Sequence, residues 1–302
     1  MRTTTRHQRA RRLLAALAAG LALAVTGCGN PAGVDGLLTD DWAALPEPAV
    51  VVPAVGECHP YAMRQDAPAA DYRPVDCGTR HQAETLHVGQ FDAGVTATPQ
   101  LGDPAMVAAF ATCDGKAREW LGADWRTARL DLRAIVPTPP AWQGGARWFR
   151  CDVVERIALD DPRPVNREGS LQGALKTDSE LRLGCFRHRL RPGRWTDKLE
   201  PVACQETHHS EFAGVHMVAD QSREEAFGDD RMRDGCYRVI AKYTDVPVGD
   251  VRRRVRAIVL PPEEPEWRAG DRGVKCLLFF GDDFPVNRSM RDAGTGVLRL
   301  WG

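Results

Sequence analysis

The sequence predicts an α+β fold built as two tandem homologous domains, each a mostly antiparallel sheet with one packed helix and two disulfides. Three observations carry this reading. Eight of the nine cysteines fall into two sets of four: Cys58, Cys77, Cys113 and Cys151, then Cys185, Cys204, Cys236 and Cys276. Their gaps are 19, 36 and 38 in the first set and 19, 32 and 40 in the second. Each set also encloses one segment of helical period between strand-like segments.

Landmarks other than cysteine recur in the same order, as expected of a duplication. Pro74-Val75-Asp76-Cys77 answers Pro201-Val202-Ala203-Cys204, and Arg133-Ala134-Ile135-Val136 answers Arg256-Ala257-Ile258-Val259. Trp142 and Trp267 each stand nine residues before the last cysteine of their set. Pro164-Val165-Asn166-Arg167 answers Pro285-Val286-Asn287-Arg288. The copies span about 54–176 and 180–296. At 115–125 residues or so, each is long enough to bury a core, so disulfides add to stability rather than replace a core.

Within the first copy, residues 55–61, 72–77 and 83–91 read as strands. Residues 103–121 place Met106, Phe110, Cys113, Ala117, Trp120 and Leu121 at spacings of three and four, the mark of an amphipathic helix with Cys113 on its buried face. Asp103 before Pro104 reads as an N-cap and first-turn pair. Residues 129–136 and 146–155 read as strands. In the second copy the helix is expected over 228–243, with Met232, Cys236, Val239, Ile240 and Tyr243 on one face.

Four cysteines per copy allow three connectivities. The favoured one joins first with second and third with fourth. Cys58 and Cys77 would face each other in a hairpin, and Cys113 on the buried helix face would reach Cys151 on a strand.

The amino terminus differs from all of this. Residues 1–27 carry five arginines and no acid, with an apolar run of 13 residues, Leu13 to Val25. That run is short for a span and suits an export signal. Val25-Thr26-Gly27-Cys28 resembles a lipobox, which implies lipid attachment at Cys28. Residues 28–53 then read as a Pro-rich tether. Without the signal, 35 basic residues face 41 acidic ones, a net charge of −6 with His neutral. Such a body does not favour nucleic acid, and the lipid would have to supply attachment to the plasma membrane.

Two repeated motifs carry chemical residue types. The first is C-x3-H-x2-E, with His81 and Glu84, then His208 and Glu211. Cys, His and Glu all bind zinc. The competing reading is structural: the cysteine is held in a disulfide, His satisfies a turn, and Glu pairs with the repeated Arg147 or Arg272. Alternation along a strand would also point His and Glu to opposite faces. The second motif is P-x-W-x2-G-x-R-x3-C, with Trp142 and Arg147, then Trp267 and Arg272. It reads as a loop entering the last strand, its Trp covering the core edge or stacking on a glycan or partner. The chain has five serines, and only Ser170 and Ser289 sit in matched contexts. Neither lies in a nucleophile-elbow pattern. Asp160-Asp161 and Asp282-Asp283 read as solvated turns. No catalytic residue, cofactor or metal is expected.

The ordered set G-(D/E)-C, V-x-C-x3-H-x2-E, a Cys-bearing helix, P-x-W-x2-G-x-R-x3-C and a trailing N-R-x-x-S resembles the septum formation domain of actinobacterial envelope proteins. Both copies match. The first is closer, keeping Gly169-Ser170-Leu171, where the second has Ser289-Met290. The resemblance implies an exported lipoprotein on the outer face of the cell membrane, tied to division or cell-wall growth. The lipobox, the duplicated disulfide-rich modules and the lack of a nucleophile pattern point to a non-enzymatic binding or scaffold module, with division proteins, cell-wall proteins or peptidoglycan as expected partners. A cell-wall glycan receptor is the alternative, and a metal-dependent hydrolase the more distant one.

Overall fold

The structure is a computed structural model that describes residues 50–64, 72–189, 198–219, 225–226 and 230–298. The expected export signal, Cys28 and nearly all of the expected tether lie outside the described residues. Among the described residues, no helix is long and apolar enough to cross a membrane.

The described residues build two five-stranded antiparallel sheets, one from each cysteine set. The first contains β1 (Cys58–His59), β2 (Ala83–Gln90), β3 (Leu130–Ile135), β4 (Trp148–Ala158) and β5 (Asp161–Pro164). Its order is β1-β2-β4-β3, with β5 paired to β4. The second contains β6 (Cys185–Arg189), β7 (Lys198–Val202), β8 (Ser210–Met217), β9 (Arg256–Leu260) and β10 (Gly273–Phe279), ordered β7-β6-β8-β10-β9. Register repeats with order. Thr85 pairs with Asp152, and their counterparts Phe212 and Leu277 pair with each other.

Each sheet is covered on one face by a helix, α1 (Pro104–Leu121) or α3 (Arg231–Thr244). Met106, Phe110, Cys113, Ala117 and Leu121 of α1 are buried, as their spacing requires. Asp103 occupies the N-cap position, but its carboxylate accepts from Gln100 N at 2.8 Å instead of bonding to the helix. Gly122 ends α1 with φ at 92°, a left-handed cap that glycine adopts at no steric cost. The second helix begins at Arg231, and the expected residues 228 and 229 lie outside the described ones. Gly235 is required there, because a Cβ would stand 2.0 Å from the ring of His216 on β8.

The disulfides join Cys58 to Cys77, Cys113 to Cys151, Cys185 to Cys204 and Cys236 to Cys276. This is the favoured connectivity. Two of them tie a helix to the strand beneath it. Each contributes about 2–4 kcal/mol by restricting the unfolded chain.

Three departures from expectation have local causes. The first-copy hairpin shrinks to β1 and one bridge, Cys58 with Val75. Pro60 and Pro74 beside it cannot donate to a ladder. The P-x-W motifs form short helices, α2 (Pro139–Gln143) and α5 (Glu264–Ala269), instead of plain loops. Each places proline in the first turn, behind a capping contact from Thr138 in α2 and from the Glu266 carboxylate to Glu263 N at 2.8 Å in α5. A further helix, α4 (Val248–Arg254), and the strand β5 were not foreseen.

Both sheets belong to one unit that begins at Val50. A 3-10 turn at Trp125–Thr127 joins them. Its Arg126, 1% exposed, reaches out of the first copy into the second. There Nε donates to Asp271 Oδ1 at 2.8 Å, while its Nη1 donates back to Asp114 at 2.6 Å. The stem lies against Gly273, where any Cβ would meet Cδ at 2.2 Å. In the first copy the matched positions are Ala146 and Trp148. The second copy has therefore exchanged a side chain of its own for one from its neighbour.

Candidate functional site

The C-x3-H-x2-E motif folds into a clasp in both copies. Its His sits in an isolated bridge just before the strand, with one bend residue between them. That bend breaks the alternation, so His208 and Glu211 converge instead of pointing to opposite faces. His208 Nε2 lies 2.9 Å from Glu211 Oε1. The same carboxylate accepts from Tyr243 Oη at 2.8 Å, Ser289 Oγ at 3.1 Å and Met290 N at 2.9 Å. In the first copy Glu84 accepts from Ser170 Oγ at 2.5 Å and Leu171 N at 2.8 Å. Both carboxylates are buried, and each holds the trailing N-R-x-x-S segment onto the sheet. The expected pairing of Glu with Arg147 or Arg272 does not occur, because the serine hydroxyl and the next backbone N–H occupy the carboxylate.

The copies differ at the His. His81 Nδ1 lies 2.8 Å from Thr79 O, as His208 Nδ1 does from Glu206 O, so both satisfy their turns. His81 Nε2 is buried without a hydrogen-bond partner, Glu84 having turned to Ser170. Burial and the Glu211 carboxylate push the Tyr243 phenol up to about 12.

Donor atoms of Cys58, Cys77 and Glu84 lie within 4.8 Å of one another, as do those of Cys185, His208 and Glu211. All of these sulfurs are in disulfides, and a metal needs a thiolate. Glu211 is also fully engaged by its hydrogen-bond donors.

Trp142 and Trp267 are 3% and 4% exposed. Each ring is covered by the arginine of its own motif, with Arg147 and Arg272 Cζ both 4.3 Å from the ring centroid. Nη1 of each arginine donates to the Trp carbonyl at 2.6 Å. A glycan would need a free ring face, and neither tryptophan offers one. The motif is a lid on the core.

The duplication supplies an internal control for the remaining polar residues. On the sheet face away from α1, the first copy buries His59, Thr85, Asp152 and Arg150. The second copy has Phe186, Phe212, Leu277 and Lys275 at those positions. Thr85 Oγ1 donates to Asp152 Oδ1 at 2.8 Å, and His59 Nε2 lies 2.9 Å from the same hydroxyl. Arg150 Nη2 lies 2.9 Å from Asp152 Oδ2. The Tyr72 phenol donates to Glu57 nearby, and burial pushes it upward. Burial holds His59 below the usual histidine range, and the Arg150 charge adds to this while Asp152 opposes it. A histidine, a hydroxyl and a carboxylate in a row suggest acyl-transfer chemistry. Thr85, however, has no exposed surface, so this chain of bonds meets no substrate.

A second cluster belongs to the second copy alone. His188 and His209 stand where the first copy has Tyr61 and Gln82. His188 Nε2 lies 2.8 Å from Ser210 Oγ, and its ring stacks on Phe279 at 4.9 Å. Its backbone N–H donates to His209 Nδ1 at 3.1 Å. Asp282 is no mere solvated turn residue, since its Oδ1 stands 3.9 Å from His188 Nδ1. Ser210 is sealed like Thr85. Aligning the two cysteine sets exposes both clusters in the sequence as positions where the two copies carry different side chains.

The sequence model of one family, described as Septum formation, matches residues 55–276, well over half of the chain. No curated protein matches the chain. No solved structure matches it either.

Proposed function

The chain belongs to the septum formation family, and from that membership we propose that it is a lipid-anchored, non-catalytic binding or scaffold protein of the cell envelope that serves division or cell-wall growth. The family assignment gives it a cell-division-related role. Four disulfides fit an extracellular or envelope setting. The anchor rests on the lipobox at Cys28, and two or more acyl chains would hold the body stably at the membrane.

One observation carries the non-catalytic part. The His, Glu, Trp and Arg side chains that recur in both copies are spent inside the fold, on carbonyls, hydroxyls and each other. Their repetition is explained by what each domain needs in order to close. Recognition of division or cell-wall proteins, or of peptidoglycan, then falls to the surfaces that the two copies do not share.

The test is a carboxy-terminal fluorescent fusion followed in dividing cells. Enrichment at the septum, lost together with membrane fractionation in Cys28→Ala, is the expected result. Uniform envelope signal in dividing cells would remove the division role, and an unchanged Cys28→Ala protein would remove the anchor. Turnover of peptidoglycan or an ester by the purified chain would remove the non-catalytic reading.

A further inference from the structure

In the first copy the cations around the helix are paired. Lys116 Nζ lies 2.9 Å from Glu119, and Arg118 Nη2 lies 3.6 Å from Asp114 and 3.3 Å from Asp124. Arg167 of the trailing segment reaches Glu155 at 3.2 Å. The second copy departs from this. Aligned on the cysteines and on Ser170 and Ser289, Gly115 becomes Arg238, Glu119 becomes Lys242 and Gln172 becomes Arg291. Arg288 answers Arg167, but Phe280 stands at the position of Glu155. Arg238, Lys242, Arg288 and Arg291 are all exposed, and none forms an ion pair among the described residues. Carboxylates of the same region hold other cations: Asp230 pairs with Arg233, Asp234 with Arg252 and Asp250 with Arg253.

The trailing segment brings these four cations to one region. Asp292 N donates to Tyr243 O at 2.9 Å, and Ser289 Oγ lies 3.3 Å from Tyr243 Oη. Arg291 Cζ stands 4.8 Å from the centroid of the Tyr243 ring. Residues 288–292 therefore run beside the end of α3, where Arg238 and Lys242 share a face one turn apart. Asp245 and Asp292 are the exposed acids there, both in left-handed turns with φ of 53° and 54°. Four cations against two acids leave a positive excess on an otherwise acidic body.

We propose that Arg238, Lys242, Arg288 and Arg291 form a docking surface for an acidic peptide segment of a partner protein. This rests on the reading of the chain as a binding module and names the kind of partner. Carboxylate is the favoured anion because Glu155 supplies one to Arg167 in the first copy. With Phe280 in its place, Arg288 is left to take its carboxylate from another molecule. Guanidinium forks match carboxylates in pairs of bonds, as Arg189 does with Glu200 at 2.8 and 2.9 Å. A bilayer is the poorer occupant. A planar anionic surface meets the acidic body as well as the patch, whereas a peptide meets the patch alone, charges beyond about 8 Å being screened.

The test is fluorescence anisotropy of a labelled hexaglutamate peptide titrated with residues 28–302 carrying Cys28→Ala. That chain holds every described element and omits the five arginines of residues 1–27. Saturable binding is expected, weakened at least fivefold by Arg238→Ala, Lys242→Glu and Arg291→Gln together, and weakened by Arg288→Gln alone. All four positions are exposed, so circular dichroism should show the fold unchanged. Arg80→Glu with Lys116→Glu makes the same change in net charge on the first copy and should bind as the parent chain does. Absence of saturable binding would overturn the proposal, and so would equal weakening by the first-copy pair. Binding to phosphatidylglycerol vesicles through these residues, without binding to hexaglutamate, would overturn it in favour of a membrane. The titration bears on the patch alone, whereas septal recruitment and substrate turnover bear on the binding-module reading.

Discussion

Arg126 and Asp271 meet inside the molecule across the boundary between the two copies, with Nε and Nη2 of the arginine 2.8 and 2.7 Å from one carboxylate oxygen. Both side chains are almost wholly buried. Removing Asp271 leaves the buried Arg126 with Asp114 and Asp124 as its remaining carboxylates, so the cost stays within the roughly 3–5 kcal/mol of a buried charge that loses its partner altogether. Asp271→Ala restores the first copy's residue at that position, yet it should lower the unfolding free energy by up to that amount. Arg126→Leu with Asp271→Ala should recover part of the loss, because the buried, under-paired charge is gone. Equal stability of the single and double variants would mean that the pair is not coupled.

Gly273 should tolerate almost nothing. Arg126 is locked by its carboxylates and cannot withdraw from a new Cβ. Gly273→Ala is expected to cost about 1–3 kcal/mol by overpacking. Chemical denaturation measures it, and the cost should shrink when Arg126 is already Leu.

Stability should fall in acid. His59 is held below its usual range, so between that depressed value and about 6.5 the unfolded chain binds a proton that the native chain does not. Its contribution is present above pH 6.5 and is lost as pH falls through the depressed value. His59→Phe, the second copy's residue, should show a shallower loss of stability below pH 6.5. An unchanged pH profile would contradict burial as the cause.

The motif tryptophans should behave as core residues. Trp142→Ala and Trp267→Ala are each expected to cost about 3–5 kcal/mol. Thermal or denaturant unfolding checks this. A stable Trp→Ala protein that had lost a glycan ligand would reverse the assignment.

Much of the fold was legible because the cysteine spacing repeats and because Met106, Phe110, Cys113 and Leu121 keep helical period. The favoured disulfide pairing, one of three that four cysteines allow, rested on placing Cys113 on that buried face. The clasp was half legible. Its residues stood out, but the bend at His209 and Gln82 that brings His toward Glu is not a property of any one-dimensional pattern. The partner of Glu84 was misjudged for a related reason. Ser170 lies 86 residues away and becomes its neighbour only when the trailing segment folds back. The docking of the copies was visible only as departures from the repeat, Asp271 for Ala146 and Gly273 for Trp148. Those departures have meaning only once Arg126 is seen to fill the space.

We propose that the repeated His-x2-Glu motif builds the fold and does no chemistry of its own. The most direct measurement is the unfolding free energy of Glu84→Gln and Glu211→Gln beside their localisation in dividing cells. Each substitution weakens charge-assisted bonds worth about 1.5–3 kcal/mol apiece. The prediction is a clear loss of stability in both, with whatever protein remains folded still reaching the septum. Full stability with septal localisation abolished would contradict the claim and return the motif to function.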